Sequence, residues 1–486
     1  MQDSQQPHPL LVQLFTEASA YQSQGNLHLA LVAYKRIQRQ FPDFVDAWTN
    51  GSIVLNDLGR SEEALEMALR AVELGPENPT ARCALANAQQ KLGNLDDAST
   101  NFQKVIQLDP NHVPALSNLA GIYNRQGLFV EAMALDDKAT QLQPSDSALW
   151  GNRGHTKMRA MNLEGAESDF IKSLELDNNN ALPRWNLAYV QLLQHRYHDA
   201  WPNFSARREL IEWVENKCNV GKPQWNGEPL EGRRLFIYSE QGFGDTIQFS
   251  RFIPRLRQYG GKFIFSTHWM LKRLLSGLPG VDDLVIEGEQ LPEFDLAIPL
   301  MELPTILDVG LVDLVPLPPP ALPEPQTIPE LDRPGFKVGL TWAGSRTHTN
   351  DALRSMDPIH LDELADMEGI AWYGLQLPKA TVLPNLPGII DLSHHMNDFM
   401  DTAQLIRQLD LVITVDTSMS HLAGFLGLPA VVLLAFCPDW RWGATGSHTP
   451  WYPSLTLLRQ PAHGDWKSVI GELKTLITEP VISWNR

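Results

Sequence analysis

From Arg233 onward, short apolar runs alternate with amphipathic stretches. RRLFIYSE (233–240) reads as a buried strand, TIQFSRFIPRLRQYG (246–260) as a helix kinked by Pro254, and GKFIFSTH (261–268) as the next strand. WMLKRLLSGLPG is helical in pattern, and DDLVIEG and FDLAIPL are short strands. The segment VPLPPPALPEPQTIPELDRPG (315–335) interrupts this alternation, being too stiff and too poor in backbone donors for a sheet interior. Beyond it come KVGLTWAG, a helix around HLDELADM, IAWYGLQ, a helix around DTAQLIRQL, DLVITVD, SMSHLAGFLG, PAVVLLAF and a last helix in DWKSVIGELKTLI. Alternation on both sides of a proline-rich linker predicts two Rossmann-like, doubly wound parallel-sheet halves. Such sheets bind ligands beyond the carboxyl ends of their strands, so the cleft between the halves is the expected active site.

The preceding residues follow a different rule. Alanine recurs at 30, 64, 98, 132, 166 and 200, always 34 apart, and glycine at 25, 59, 93 and 127, with Met161 and His195 in the equivalent places. Proline recurs at 42, 76, 110 and 144, with Asn178 in the fifth slot. Glycine permits a tight turn between two helices, alanine lets them pack closely, and proline stops the second helix. The pattern resembles the tetratricopeptide repeat, and six repeats tile residues 11–214 as an α-solenoid. The sixth lacks the closing proline and carries Trp201 and Pro202, which suits a cap or a junction. Asn50, Asn118, Asn152 and Asn186 share one position in their repeats, with Ala84 breaking the series. An amide there offers donor and acceptor to a peptide backbone, or it is merely a common residue of the repeat. O-GlcNAc transferases carry asparagines at this repeat position that bind peptide, so the repeat groove is expected to take a protein or peptide acceptor.

The expected organisation is therefore repeats over 11–214, a junction at 215–232, a first Rossmann-like half at 233–314, the linker at 315–335 and a second half at 336–486. At 486 residues several domains are required. A formal net charge of -18 argues against general attraction to nucleic acid or to anionic membrane surfaces. Cys83, Cys218 and Cys437 form no pair motif, and the start shows no basic region followed by an apolar one, so a cytoplasmic protein is expected. The longest apolar run, LPAVVLLAFC, is too short to span a bilayer.

Three strand ends carry candidate chemistry. In YSEQGFGDTIQF (238–249), Gly242 and Gly244 allow close approach of a ligand, and Asp245 is either a general base facing the cleft or the cap of the following helix. In ITVDTSMSHLAGFLGLP (413–429), the strand ends at Asp416, Thr417 and Ser418, where a helix start can hold a diphosphate. His421 projects from the same face as Thr417, as a phosphate contact or as a satisfied buried histidine. TWAGSRTHTNDALRS (341–355) offers Arg346, Arg354, Asn350 and Asp351. Arg354, nearer the following helix, is the preferred cation for a leaving diphosphate, the alternative being an exposed loop arginine. In PDWRWG (438–443) two tryptophans flank Arg441, either to stack a base or to pack at a domain edge.

GFGD, WAGS…NDALRS, DFMDTAQLI, VDTSMSHLAG and DWRW together resemble the glycosyltransferase family 9 domain of the heptosyltransferases, in the bacterial branch where it follows tetratricopeptide repeats. The resemblance covers essentially the whole chain. It implies a GT-B fold and an inverting transfer from a nucleotide-sugar donor, with no metal or other cofactor. It implies Asp245 as base, Thr417, Ser418 and His421 at the donor diphosphate, Asp416 ordering that turn, and Gln376 near the donor nucleotide. Heptosyltransferases carry a lysine in the loop matching 341–355. This chain has none, which leaves the sugar open and Arg354 as the substitute. Two other readings compete: a lipid-linked or surface-glycan acceptor in place of a protein, and a repeat scaffold whose second part has lost its chemistry.

Overall fold

The computed structural model describes residues 8–210, 221–314, 321–348, 350–380 and 382–478. The start of the expected junction (215–220), Cys218 and the opening of the proline-rich linker (315–320) lie outside the described residues. The chain divides into two compact units, Met1–Asn178 and Asn179–Arg486.

The first unit is a helical solenoid of five hairpins: α1 Pro9–Ser23 with α2 Leu27–Gln40, α3 Val45–Asp57 with α4 Ser61–Leu74, α5 Pro79–Lys91 with α6 Leu95–Leu108, α7 Val113–Gln126 with α8 Phe129–Leu142, and α9 Ser147–Arg159 with α10 Leu163–Leu176. Each periodic residue has its physical job. Gly25, Gly59, Gly93 and Gly127 turn the chain with φ between 74° and 83°, and Met161 takes φ 60° at the same place. Ala30, Ala64, Ala98, Ala132 and Ala166 are completely buried where the helices of a hairpin meet. Pro42, Pro76, Pro110 and Pro144 each follow directly on the residue that caps the second helix. Among the buried polar groups, Asp136 accepts from Thr156 Oγ1 at 2.7 Å, and Asp169 is held by both Arg153 and Lys157 at 2.7 Å.

The second unit opens with the sixth hairpin, α11 Ala181–Leu193 and α12 Tyr197–Phe204. A four-stranded sheet follows, of β1 Arg234–Tyr238, β2 Lys262–Thr267, β3 Asp283–Ile286 and β4 Leu296–Pro299, in the order β3-β2-β1-β4. A second sheet contains β5 Phe336–Thr341, β6 Ile370–Gly374, β7 Ile390–Asp391, β8 Leu411–Val415, β9 Ala430–Leu434 and β10 Leu455–Arg459, in the order β10-β9-β8-β5-β6-β7. All pairings are parallel: Phe236 lies opposite Ile264 and Ala297, and Leu340 opposite Gly374 and Ile413. Val338, Leu340, Ile413, Val415 and Val431 are buried in the core of the second sheet with Trp372 and the C-terminal helix Trp466–Thr478. Two switches of strand order, between β1 and β4 and between β5 and β8, open crevices at the strand carboxyl ends.

Several expected helices are shorter or tighter than their patterns. The helix after β1 is α-helical only over Phe243–Phe249 and continues as a 3-10 helix over Ser250–Tyr259, where Pro254 lacks the N–H of a regular turn. The helix expected in WMLKRLLSGLPG reduces to Trp269–Leu271 and Lys272–Leu275, and that around HLDELADM is a 3-10 helix over Pro358–Leu364. No helix among the described residues is long and apolar enough to cross a membrane.

Candidate functional site

Asp245 is the third residue of the helix Phe243–Phe249, with Gly242 at its cap. Its Oδ2 accepts the Gly242 N–H at 3.0 Å, so it does cap the helix start. Its Oδ1 faces the second half and is paired with Arg441 Nη2, and about a fifth of the side chain remains exposed. One oxygen thus caps the helix and the other pairs with Arg441.

Arg441 comes from the 3-10 turn Trp440–Trp442 beyond β9 and is buried. It donates to Asp439 Oδ1 at 2.8 Å and to Gln248 Oε1, besides Asp245. Burial alone would lower its pKa, but the carboxylates of Asp439 and Asp245 outweigh that and hold it above the ordinary arginine value. The tryptophans beside it are both buried. Trp440 meets Phe249 and Trp451 edge-on, and Trp442 lies against the His421 ring at 5.3 Å, so they pack at a domain edge and offer no open face to a base.

His421 sits on the helix Ser418–Phe425, buried, with Nδ1 3.0 Å from Tyr452 Oη. Burial, then the positive charges of Arg441, Arg251 and Arg354, push its pKa well below the histidine range, so at neutral pH it acts as an uncharged hydrogen-bonding group. Its ring explains Gly244: a Cβ there would fall 2.5 Å from His421 Cδ2. Gly242 is constrained differently, since a Cβ would stand 3.3 Å from Asp245 Oδ2. Thr417 caps the helix, accepting from the Met419 N–H at 3.2 Å. The half-exposed Ser418 begins the first turn. Asp416, just before the cap, has its carboxyl pushed up to about 7 by burial and by Asp439, against Arg354 and Arg441.

Arg354 ends the short turn Asp351–Arg354, its Nε 3.7 Å from Asp351 Oδ1. Its guanidinium packs on Gly344, where a Cβ would come within 2.6 Å of Nη2. Its charge reaches both Asp416 and His421, whereas Arg346 is exposed on the loop. The structure therefore brings together Asp245, Arg354, Asp416 and His421 at the ends of β1, β5 and β8.

Gln376 and one of the asparagines, Asn186, stand differently from expectation. Gln376 Oε1 accepts from the Trp342 and Ala343 N–H groups at 3.1 and 2.9 Å, and Nε2 donates to the carbonyls of Ala343 and Leu377 at 2.9 and 2.8 Å. An amide has four such positions and all are used, so Gln376 clamps the loop after β5 rather than meeting a nucleotide. Asn118 donates to Asn87 at 2.9 Å, Asn152 is exposed and donates to Ser117 at 3.0 Å, and Asn186 belongs to the second unit and is buried. Burial takes Asn186 out of any accessible ladder. Two grooves of the first unit, of about 520 and 430 Å³, are lined by residues such as Trp150 and Ile171, and Tyr123 and Leu135. Neither is lined by Asn118 or Asn152.

Two buried, paired arginines escaped sequence reasoning. Arg441 was visible only as an arginine between tryptophans, and its pairing with Asp245 depends on the tertiary fold. Arg207, after the sixth hairpin, is buried and paired with Glu240 at 2.7 Å and Glu302 at 2.8 Å. Glu240 stood in the opening of the β1 turn without an evident partner.

Residues 15–79 and 83–147 match the profile of the tetratricopeptide repeat. The solenoid is a tetratricopeptide-repeat array. Protein FlbA of Caulobacter vibrioides is 22% identical over 524 residues, covering 95% of this chain and 83% of FlbA. Protein O-mannosyl-transferase TMTC1 of Homo sapiens is 25% identical over 195 residues, covering 39% of this chain, and the chain spans only 22% of that protein's length. Among solved structures, MamA is 20% identical with a TM-score of 0.30, covering 35% of this chain and 93% of MamA. YrrB, a TPR protein with an unusual peptide-binding site, is 21% identical with a TM-score of 0.29, covering 35% of this chain and 88% of YrrB.

Proposed function

We propose that the second unit is a glycosyltransferase of GT-B type, resembling glycosyltransferase family 9, that moves a sugar from a nucleotide-sugar to a hydroxyl acceptor with inversion. The observation that carries this reading is the convergence of Asp245, Arg354, Asp416 and His421 at the carboxyl ends of β1, β5 and β8, beside the switches of strand order. The acceptor hydroxyl attacks the anomeric carbon while its proton passes to Asp245 Oδ1. The bond to the diphosphate breaks, and the electron pair leaves with the nucleotide diphosphate. A carboxylate oxygen has two lone pairs, so Arg441 can orient Oδ1 and leave one free for that proton. Arg354, the first turn at Ser418 and the uncharged His421 are the groups for the departing diphosphate, so no step is assigned to a metal. Gln376 keeps the loop that carries Arg354 in place.

The repeats support a protein or peptide acceptor, and TMTC1 and TMTC3 are by name protein O-mannosyl-transferases. Replacing Asn118 and Asn152 by alanine should weaken a peptide acceptor and leave a surface-glycan acceptor unaffected. The deciding experiment is transfer by Asp245→Asn, expected to fall roughly 10²–10⁴-fold, while nucleotide-sugar binding, read by thermal shift, stays unchanged. Full transfer by that variant would remove Asp245 as base. Absence of any shift with UDP-, GDP-, ADP- and dTDP-sugars would favour the scaffold reading.

A further inference from the structure

We propose that Glu330, His394 and His395 form a binding site for a divalent transition metal, best suited to zinc, that fastens the end of the proline-rich segment onto the second sheet. Glu330 lies in the 3-10 turn Pro329–Leu331, just before β5. His394 and His395 lie in the turn Ser393–His395, just after β7. The three residues share nothing with the Asp245 cluster, and the inference stands whether or not that cluster is catalytic.

The distances suit a hydrogen-bonded cluster without an ion and a metal-bridged one with it. His394 Nε2 is 3.4 Å and His395 Nε2 3.3 Å from the same oxygen, Glu330 Oε1, and all three ligand atoms lie within 4.8 Å of one another. Without an ion, His395 Nε2 is close enough to Glu330 Oε1 for a hydrogen bond, on the long side of the usual range of about 2.7–3.2 Å. For two ligands on one zinc these separations fit: bonds of about 2.0–2.1 Å at a tetrahedral angle place the ligand atoms about 3.3–3.4 Å apart. The two imidazoles are neighbours in sequence, with ring centroids 4.1 Å apart, and both aim Nε2 at one carboxylate. The other carboxylate oxygen, Glu330 Oε2, is buried without a hydrogen-bond partner among the described residues.

Two imidazoles and a carboxylate form a recognised zinc set that leaves a fourth position for water. Imidazole also suits cobalt and nickel, whereas magnesium and calcium prefer all-oxygen sites. The backbone beneath is already held. Tyr373 Oη donates to the Glu330 carbonyl at 3.3 Å, and Arg333 donates to the Gly388 carbonyl at 2.8 Å. An ion bridging Glu330 to the two histidines would close this clasp, because its ligands lie on either side of β5 and β6 in the chain.

The test uses the full-length protein freed of metal with a chelator and titrated with zinc chloride by calorimetry and thermal shift. The expected result is one equivalent bound per chain with a rise in melting temperature. Binding should be weakened at least about tenfold in Glu330→Gln and in the double variant His394→Ala/His395→Ala. Melting of the variants without zinc separates lost binding from lost folding. Cobalt substitution supplies the second readout: the visible spectrum should show nitrogen and oxygen ligands and vanish in the double variant. No saturable binding at about 0.1 mM zinc, equal binding by the variants, or a cobalt spectrum with a thiolate band would each overturn the site.

Discussion

The five hairpins of the first unit and the sixth hairpin, Ala181–Phe204, obey one sequence period and meet different surroundings. In the first five the periodic residues turn, pack and stop helices, and the buried Asp169 is satisfied from its own hairpin, by Lys157 and by Arg153, which also holds Asp137. In the sixth, the residues off the period carry the distinctive contacts. Trp201 donates from Nε1 to the Val309 carbonyl at 2.7 Å, Tyr189 Oη lies 3.3 Å from the Pro438 carbonyl, and the Ala444 N–H donates to the Leu193 carbonyl at 2.9 Å. Arg207 then inserts between Glu240 and Glu302. The same hairpin thus serves as a repeat in sequence and as part of the sheet-bearing body in structure.

The largest effect expected from this difference is at Arg207. Its removal leaves Glu240 and Glu302 buried without their cation, which costs about 3–5 kcal/mol. In Arg207→Ala the unfolding transition of the second unit should fall by that amount in urea, while helical signal from the first unit melts as before. Arg153→Ala is the matched variant in the repeats. Asp169 keeps Lys157 there, so the loss should be only about 1–2 kcal/mol. Equal costs at the two sites would erase the distinction between a redundant and an indispensable ion pair.

A second contrast concerns pH. Burial pushes the Asp136 carboxyl up to about 7, despite the hydrogen bond from Thr156, and pulls the His155 imidazole down to about 4. Between pH 4 and 7 folded Asp136 holds a proton that the unfolded chain has lost, so its contribution to stability falls as pH rises through that window. His155 acts in the opposite sense: the unfolded chain holds the proton from pH 4 to about 6.5, and stability rises with pH. Asp136→Asn removes the first slope and leaves the second. Relative to the wild type, the variant should gain on the order of 4 kcal/mol at pH 8, gain almost nothing at pH 4, and pull steadily ahead in between. A flat difference across this range would show that Asp136 is not the titrating group. Glu240, buried beside Arg207, is also raised by burial, but its partner opposes the shift.

What the sequence made legible divides along the same line. The 34-residue period could be read because turning, close packing and stopping recur at fixed positions, each with its own residue type. The strands could be read because parallel strands buried on both faces are continuous apolar runs, as in LVITV and AVVLL. Helix lengths between them were overread, since Pro254 and the short turns at Lys272–Leu275 and Pro358–Leu364 end what periodicity alone would continue. That Asp245, Arg354 and His421 stand beyond the ends of β1, β5 and β8 was legible because each lies in the segment that follows an apolar strand run. The partners of these residues were not. Arg441 reaches Asp245 from the far end of the chain, and Gln376 turns its amide onto the backbone of another strand's loop, and neither pairing leaves a local signature.

The smallest test is also the most discriminating. Met161 and His195 occupy the turn position that glycine fills in the first four repeats, with φ of 60° and 59°. A side chain in this left-handed region costs about 1–2 kcal/mol relative to glycine, part of which returns because glycine also loosens the unfolded chain. Met161→Gly should therefore stabilise the first unit by about 0.5–1 kcal/mol. His195 bears the same strain, but its Nδ1 lies 3.1 Å from Tyr197 Oη and its Nε2 occupies the space a Cβ at Gly443 would need. Losing those contacts should cancel or reverse the gain, so His195→Gly should leave the second unit unchanged or destabilise it by up to about 1 kcal/mol. Opposite signs in two urea melts would show that the strain at His195 is retained for what its side chain touches. A clear gain at both positions would make His195 simply another turn residue, and would leave Trp201 and Arg207 as the residues that set the sixth hairpin apart.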